Sequence, residues 1–251
     1  MAKTVYNLLV LGYKHLSKTL ASPEKIGGVT VDIQRIIQSI DHTCLSQDAT
    51  WRDIKDLCDK AAKFGVASVC IPPTYVKDAA DYLAGRVACC TTVGFPNGNS
   101  TTDVKCYETE NAVQNGADEI DMVINIGWLK DQRFDDISKE IELVKEACNG
   151  RILKVIIETC LLTEEEKIQI CRIISDSNAD FIKTSTGFST GGATFDDIKL
   201  FREHVSSNIA IKAAGGIRTL EDAWEYILLG AARLGTSSLL DIIEKGIMGE
   251  K

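Results

Sequence analysis

From about Val31 onward, a short apolar run ending in polar or glycine-rich residues alternates with a longer segment of helical periodicity. The apolar runs centre on Ile36–Ile40, Val66–Ile71, Val87–Val93, Glu119–Ile124, Ile152–Ile157, Phe181–Lys183, Ile209–Ala213 and Ala232–Gly235. They recur every ~30 residues, the length of one strand–helix unit. The intervening segments carry helix-start signals. Thr163 precedes Glu164-Glu165-Glu166, which places acids in a first turn where the helix dipole favours them, and Thr219 precedes Glu221-Asp222 in the same way. Eight such units fit an α/β fold of the (β/α)8 TIM-barrel type. A doubly wound open sheet competes with it, but that fold carries a glycine-rich turn after its first strand. Here Asp41-His42-Thr43-Cys44 stands in that place.

The first 28 residues lie outside the repeat. Val5, Leu8, Leu9, Tyr13, Leu16 and Leu20 fall near helical spacing, and Pro23 with Gly27-Gly28 breaks the chain. The pattern predicts a helical N-terminal extension over 1–28 and a barrel domain over 29–251. The extension can pack under the barrel or against a second subunit, which leaves a homodimer or higher homo-oligomer open. A net charge of −8 argues against a nucleic-acid partner, which needs a basic face. No apolar run reaches membrane-spanning length. The nine cysteines lack paired spacing and only three histidines are present, so a metal site is not expected. Reduced cysteines within apolar runs point to a cytoplasmic protein.

In a barrel the chemistry gathers at the C-terminal ends of the strands. Asp41 ends the first predicted strand, Asp121 and Asn125 stand on the fourth, and Glu158-Thr159 ends the fifth. Lys183 ends the sixth and Lys212 lies near the end of the seventh. Alternation places Asp121 opposite Ile120, Met122 and Ile124, hence toward the lumen. Lys183 and Lys212 lie on neighbouring strands, so both amines converge on one water-poor space. Two cations held together raise the cost of each charge, and a depressed amine pKa is expected for at least one of them. A neutral amine is a nucleophile toward carbonyls and forms a Schiff base, and a carboxylate such as Asp121 can pass protons. The bland alternative is an ion network that fills the barrel, with Lys154 paired to an acid inside it. Such networks are seldom a net gain in stability, which favours a functional reading for Lys183, Lys212 and Asp121. Gly215-Gly216 after strand seven and Gly235-Thr236-Ser237-Ser238 at the start of the last helix form the sort of backbone cradle that binds anions.

The segments Ile40-Asp41-His42-Thr43, Val93-Gly94-Phe95-Pro96-Asn97-Gly98, Gly116–Gly127, Leu153–Thr159, Ala179–Gly187, Ala214–Arg218 and Gly235–Ser238 together resemble the deoxyribose-phosphate aldolase family, in order from about residue 35 to 240. The resemblance implies a cofactor-free class I aldolase that splits 2-deoxy-D-ribose 5-phosphate into acetaldehyde and D-glyceraldehyde 3-phosphate. It implies Lys183 as the Schiff-base nucleophile, Lys212 as the neighbour that activates it and shuttles protons, Asp121 as acid and base through water, and Asp41 as support for the relay. It implies phosphate binding by Thr184, Thr186, Gly187, Gly215, Gly216, Arg218, Gly235, Ser237 and Ser238. Some members carry a lysine just after the Lys183–Gly187 loop, where this chain has Phe188, which leaves Arg218 and helix dipoles to balance the phosphate. Another sugar-phosphate lyase or isomerase, with the lysines as electrostatic clamps, is a rival within enzymes. A silent sugar-phosphate-binding barrel is a rival outside them, and it has no use for a costly buried amine pair.

Overall fold

A computed structural model describes residues 24–26 and 29–248, with side chains over 30–246. The expected helical extension falls outside the described residues apart from Glu24–Ile26. That segment is strand β1, antiparallel to β2 (Val29–Val31) with Ile26 opposite Val29. A domain boundary after residue 28 therefore separates two paired strands.

Eight parallel strands then close into a barrel: β3 (Ile40–Thr43), β4 (Ser68–Ile71), β5 (Ala88–Val93), β6 (Glu119–Val123), β7 (Ile152–Ile156), β8 (Phe181–Lys183), β9 (Ala210–Ala214) and β10 (Arg233–Thr236), with β10 paired to β3. The first predicted strand is displaced. Ile33–Ser39 is a helix, α1, whose N-cap Asp32 accepts from the Arg35 amide, and the strand begins only at Ile40. Ile33, Ile36 and Ile37 form one buried helical face. A β-branched run reads like a strand until its i, i+3, i+4 spacing is counted. Asp41 is therefore the second residue of its strand and lies inside the lumen, not at its mouth.

The connecting helices are α2 (Trp51–Phe64), α3 (Val76–Leu83), α4 (Thr102–Gln114), α5 (Ile126–Lys130), α6 (Phe134–Ala147), α7 (Glu164–Ser175), α8 (Phe195–His204), α9 (Leu220–Leu228) and α10 (Leu239–Met248). Reciprocal caps start three of them: Thr50 with Asp53, Thr163 with Glu166, and Thr194 with Asp197. Each strand turns one face to these helices. Val69, Ile120, Met122, Leu153, Val155, Ile182, Ile211 and Leu234 join the main apolar core, each buried, and each such side chain contributes roughly 2 kcal/mol of burial. The opposite face carries Asp41, Cys90, Asp121, Lys154, Lys183 and Lys212. Period-two alternation has thus sorted apolar residues outward and ionisable ones into the lumen. Among the described residues no helix is long and apolar enough to cross a membrane.

Candidate active site

The barrel register brings the lumen residues together. Asp121 on β6 is paired with Lys154 on β7, Lys183 on β8 with Lys212 on β9, and Lys212 with Arg233 on β10. Side chains of paired positions on one sheet face stand about 5 Å apart. Asp121 is fully buried between three ammonium groups. One carboxylate oxygen lies 2.7 Å from Lys183 Nζ and 2.7 Å from Lys212 Nζ, and the other lies 2.9 Å from Lys154 Nζ. The Cys90 thiol also donates to Asp121, at 3.1 Å. Below this layer Asp41 takes Lys212 at 2.5 Å and Arg233 Nη1 at 2.5 Å, and Glu119 takes Lys154 at 2.6 Å and Arg233 Nη2 at 2.8 Å.

The lumen therefore holds four cations, Lys154, Lys183, Lys212 and Arg233, against three carboxylates, Asp41, Glu119 and Asp121. Burial alone would raise the Asp121 and Asp41 carboxyls. The ammonium groups of Lys154 and Lys212 outweigh it, with help from Lys183 at Asp121 and Arg233 at Asp41, and hold both well below the ordinary carboxylate range. Burial alone would likewise pull Lys154 and Lys212 down, but Asp121 and Asp41 hold both amines above their ordinary value. The expected depression of an amine is absent at these two lysines, because each touches two or more carboxylates. Lys183 differs: it touches one carboxylate and is the lysine that faces the pocket.

That pocket, about 570 Å³, opens above Lys183 on the C-terminal side of the barrel. Thr186, Gly187, Gly215, Gly216, Arg218, Gly235, Ser237 and Ser238 all line it, joined by Thr43, Leu45 and Phe188. Asp121, Asp41 and Lys212 lie beneath its floor. Thr184 does not line it. Its hydroxyl donates to the Ala214 carbonyl and accepts from the Ala214 amide, each at 3.1 Å, so the expected contact with a ligand is replaced by a strut between β8 and β9. Gly235 has a packing reason to be glycine: a Cβ there would stand 2.9 Å from Ala214 Cβ and 3.3 Å from Lys212 Cε. Gly192 is equally tight, since its Cβ would fall 2.3 Å from the Gly215 carbonyl oxygen. The loop after β8 is thus laid directly on the loop after β9. Phe188 meets Phe95 edge to face at 5.3 Å across the mouth.

Two residues enter this site without having been assigned to it from the sequence, and a third, Glu158, expected at a strand end, takes a structural part. Arg233 and Glu119 complete the ion cluster. Their signal was a charged residue on the lumen face of an otherwise apolar strand. Glu158 sits in the left-handed region at φ 53°, and its buried carboxylate accepts from the Thr186 amide at 3.3 Å and from the Thr186 hydroxyl. It braces the pocket-lining loop. Asn125, also at a strand end, caps α5 by accepting from the Trp128 amide. Among the described residues, Cys70, Cys90 and Asp121 form the one group of possible metal ligands close enough to share an ion. Both Asp121 oxygens are already held by lysine amines, so the donor set suits a cation poorly.

The chain is similar to known aldolases over most of its length. The pattern of the DeoC/LacD family aldolase matches residues 35–245. The deoxyribose-phosphate aldolase of Clostridioides difficile (strain 630) is 53% identical over 212 residues, covering 84% of this chain and 97% of that relative. The same-named protein of Streptococcus pyogenes serotype M28 is 52% identical, covering 85% and 96%. A Coccidioides immitis structure, provisionally assigned as a deoxyribose-phosphate aldolase, superposes with a TM-score of 0.83 at 38% identity over 97% of each chain. The deoxyribose phosphate aldolase of Aeropyrum pernix, described as a tetramer, gives 0.77 at 29% identity over 85% of this chain and 92% of that one.

Proposed function

We propose that this chain, which belongs to the DeoC/LacD family of aldolases, reversibly cleaves 2-deoxy-D-ribose 5-phosphate into D-glyceraldehyde 3-phosphate and acetaldehyde through an imine on Lys183. The observation that carries the reading is the placement of Lys183. It is the lysine that lines the pocket floor, its Nζ is 2.7 Å from Asp121, and a glycine- and serine-rich cradle stands at the other end of the same cavity.

The neutral Lys183 amine adds to the C1 carbonyl, and water leaves to give an iminium that draws electrons from C2. A base takes the C3 hydroxyl proton, the C2–C3 bond breaks, and glyceraldehyde 3-phosphate departs with the new carbonyl. The enamine left on Lys183 is protonated at C2, and water releases acetaldehyde. Lys212, hydrogen-bonded to the Asp121 oxygen that also holds Lys183, is placed to hand protons between Asp121 and the pocket through water. Asp41 holds Lys212 from below. At the far end, the amides around Gly187, Gly215 and Gly216 and the start of α10 at Ser237-Ser238 take the phosphate. Arg218, exposed on the pocket wall, supplies the charge that Phe188 lacks. The relative from Aeropyrum pernix makes a homo-oligomer the expected assembly, which sedimentation reads directly. A cytoplasmic setting suits the free, mostly buried cysteines.

Acetaldehyde with sodium borohydride should trap an ethyl group on Lys183, read by peptide mass spectrometry. No adduct, or adducts only on exposed lysines, would overturn the imine. Lys183→Leu should abolish cleavage while retaining binding of phosphorylated sugars.

A further inference from the structure

The lumen cluster reaches from the pocket floor to Arg233, whose side chain is still 16% exposed. Every barrel strand contributes an ionisable group to it. These are Asp41 on β3, the Cys70 and Cys90 thiols on β4 and β5, Glu119 and Asp121 on β6, and then Lys154, Lys183, Lys212 and Arg233 on β7 to β10. The contacts form an unbroken chain: Arg233 to Asp41 at 2.5 Å, Asp41 to Lys212 at 2.5 Å, Lys212 to Asp121 at 2.7 Å, and Asp121 to Lys183 at 2.7 Å. A second branch runs from Arg233 through Glu119 and Lys154 to the other Asp121 oxygen. With its three lysines and Arg233 against its three carboxylates charged, and both thiols neutral, the cluster carries one positive charge in excess. Removing one proton makes it neutral, and Lys183 is the amine with a single carboxylate contact and access to the pocket.

We infer that Arg233 and Glu119 are positioning residues for the reaction: from beneath the pocket they set the charge surplus that makes Lys183 the amine that gives up its proton. Neither touches the pocket, so neither is a candidate to bind substrate. The Arg233 cation does two things. It occupies one oxygen of Asp41, leaving the other to Lys212 and Lys154, and it shares the Glu119 carboxylate with Lys154, which also holds Asp121. Deleting Arg233 leaves three cations against three carboxylates, so the protonated cluster is neutral and holds its last proton more tightly. Deleting the Glu119 charge does the opposite, leaving four cations against two carboxylates. Deleting both restores the surplus of one.

This inference rests on the imine reading, and its test separates the two. The rate of borohydride-trapped adduct formation with acetaldehyde is measured against pH; acetaldehyde carries no phosphate, so substrate titration does not enter. The neutral amine is the reactive form, so the rate rises with pH through an acid limb. In Arg233→Met that limb should move up by ~1 unit or more, and in Glu119→Gln it should move down by a similar amount. In the double variant Arg233→Met with Glu119→Gln it should return to the native position. Near-ultraviolet circular dichroism checks folding. Should Arg233→Met not fold, the isosteric Glu119→Gln still carries the test through its downward shift. Unmoved limbs in both single variants, shifts of the same sign, or no return in the double variant would overturn the inference while leaving the imine intact. Failure of the native protein to form an adduct at Lys183 would instead overturn the imine itself.

Discussion

Two buried ion networks, one inside the barrel and one in the helical layer outside it, behave in opposite ways. In the lumen, Lys154, Lys183, Lys212 and Arg233 interleave with Asp41, Glu119 and Asp121. Outside the barrel wall, Lys105 on α4 and Glu140 on α6 form a one-to-one pair at 2.9 Å, both fully buried. In the lumen, mutual attraction outweighs burial: Asp41 and Asp121 are held below their ordinary range, Lys154 and Lys212 above theirs. At the outer pair burial wins. It pulls Lys105 down against the Glu140 charge and pushes Glu140 up against the Lys105 charge. One partner at 2.9 Å does not offset the loss of water around each ion, whereas two or three partners do. Outer-pair groups also serve as ordinary hydrogen bonders. Lys105 Nζ donates to the Val123 carbonyl at 2.8 Å, and Glu140 accepts from the Asn125 amide at 3.3 Å. That pair ties the ends of β6 and α5 to the helical layer and has no path to the pocket.

The comparison is most exposed to breakage at Asp121. Asp121→Asn takes from Lys183 its one carboxylate partner and from Lys154 and Lys212 one partner each, so it should destabilise the fold by ~3–5 kcal/mol and lower turnover by ~10² or more. Urea unfolding and steady-state cleavage measure the two losses; a variant as stable as the native protein would show that the lumen charges are not mutually dependent. Acid titration comes next. Depressed carboxylates such as Asp41 contribute stability that is present above their ordinary value of 3.8 and is lost as pH falls below it toward the folded-state value. Glu140, being raised from 4.5, has the reverse sign: its contribution is fully present below 4.5 and is lost as pH rises through the folded-state value. Thermal melts should therefore steepen below pH 3.8, and Glu140→Gln should flatten the profile just above pH 4.5 without touching the lower limb. A smaller effect is expected from Glu140→Gln at neutral pH, a cost of ~1–2 kcal/mol for one weakened buried partner, with turnover close to native. The smallest belongs to the joint replacement Lys105→Met with Glu140→Leu. Removing both charges should change stability by within about 1 kcal/mol, since a buried pair is commonly no better than an apolar one. A loss as large as that of Asp121→Asn would erase the distinction between the two networks.

The same contrast explains what could be read in advance. Asp121, Lys183 and Lys212 were legible because a charged residue on the lumen face of an apolar strand has few bland explanations. Lys154 was expected to pair with an acid in the barrel, and it contacts Glu119, Asp121 and Asp41. Glu158, expected at a strand end, leaves the strand in a left-handed turn, so strand alternation does not direct its side chain. Thr184 follows Lys183 directly and shared its motif, yet the backbone of Ala214 consumes its hydroxyl. Ile36–Ile40 reads as a strand because β-branched residues favour one, yet Ile36–Ser39 lies in a helix that buries Ile33, Ile36 and Ile37 on one face.

By itself, then, the amino-acid order determined the repeating unit, the outward apolar faces, the identity of the inward charges and the glycines at the ends of β9 and β10, because all of these depend on local periodicity and on backbone sterics. Only closure of the barrel decided which charges meet. β10 pairs with β3, residues 192 positions apart in sequence, Arg233 and Asp41, come within 2.5 Å, and the count of cations against carboxylates becomes a property of the whole ring. Electrostatic interaction depends on distance through space and on excluded water, and neither is set until the last strand is in place.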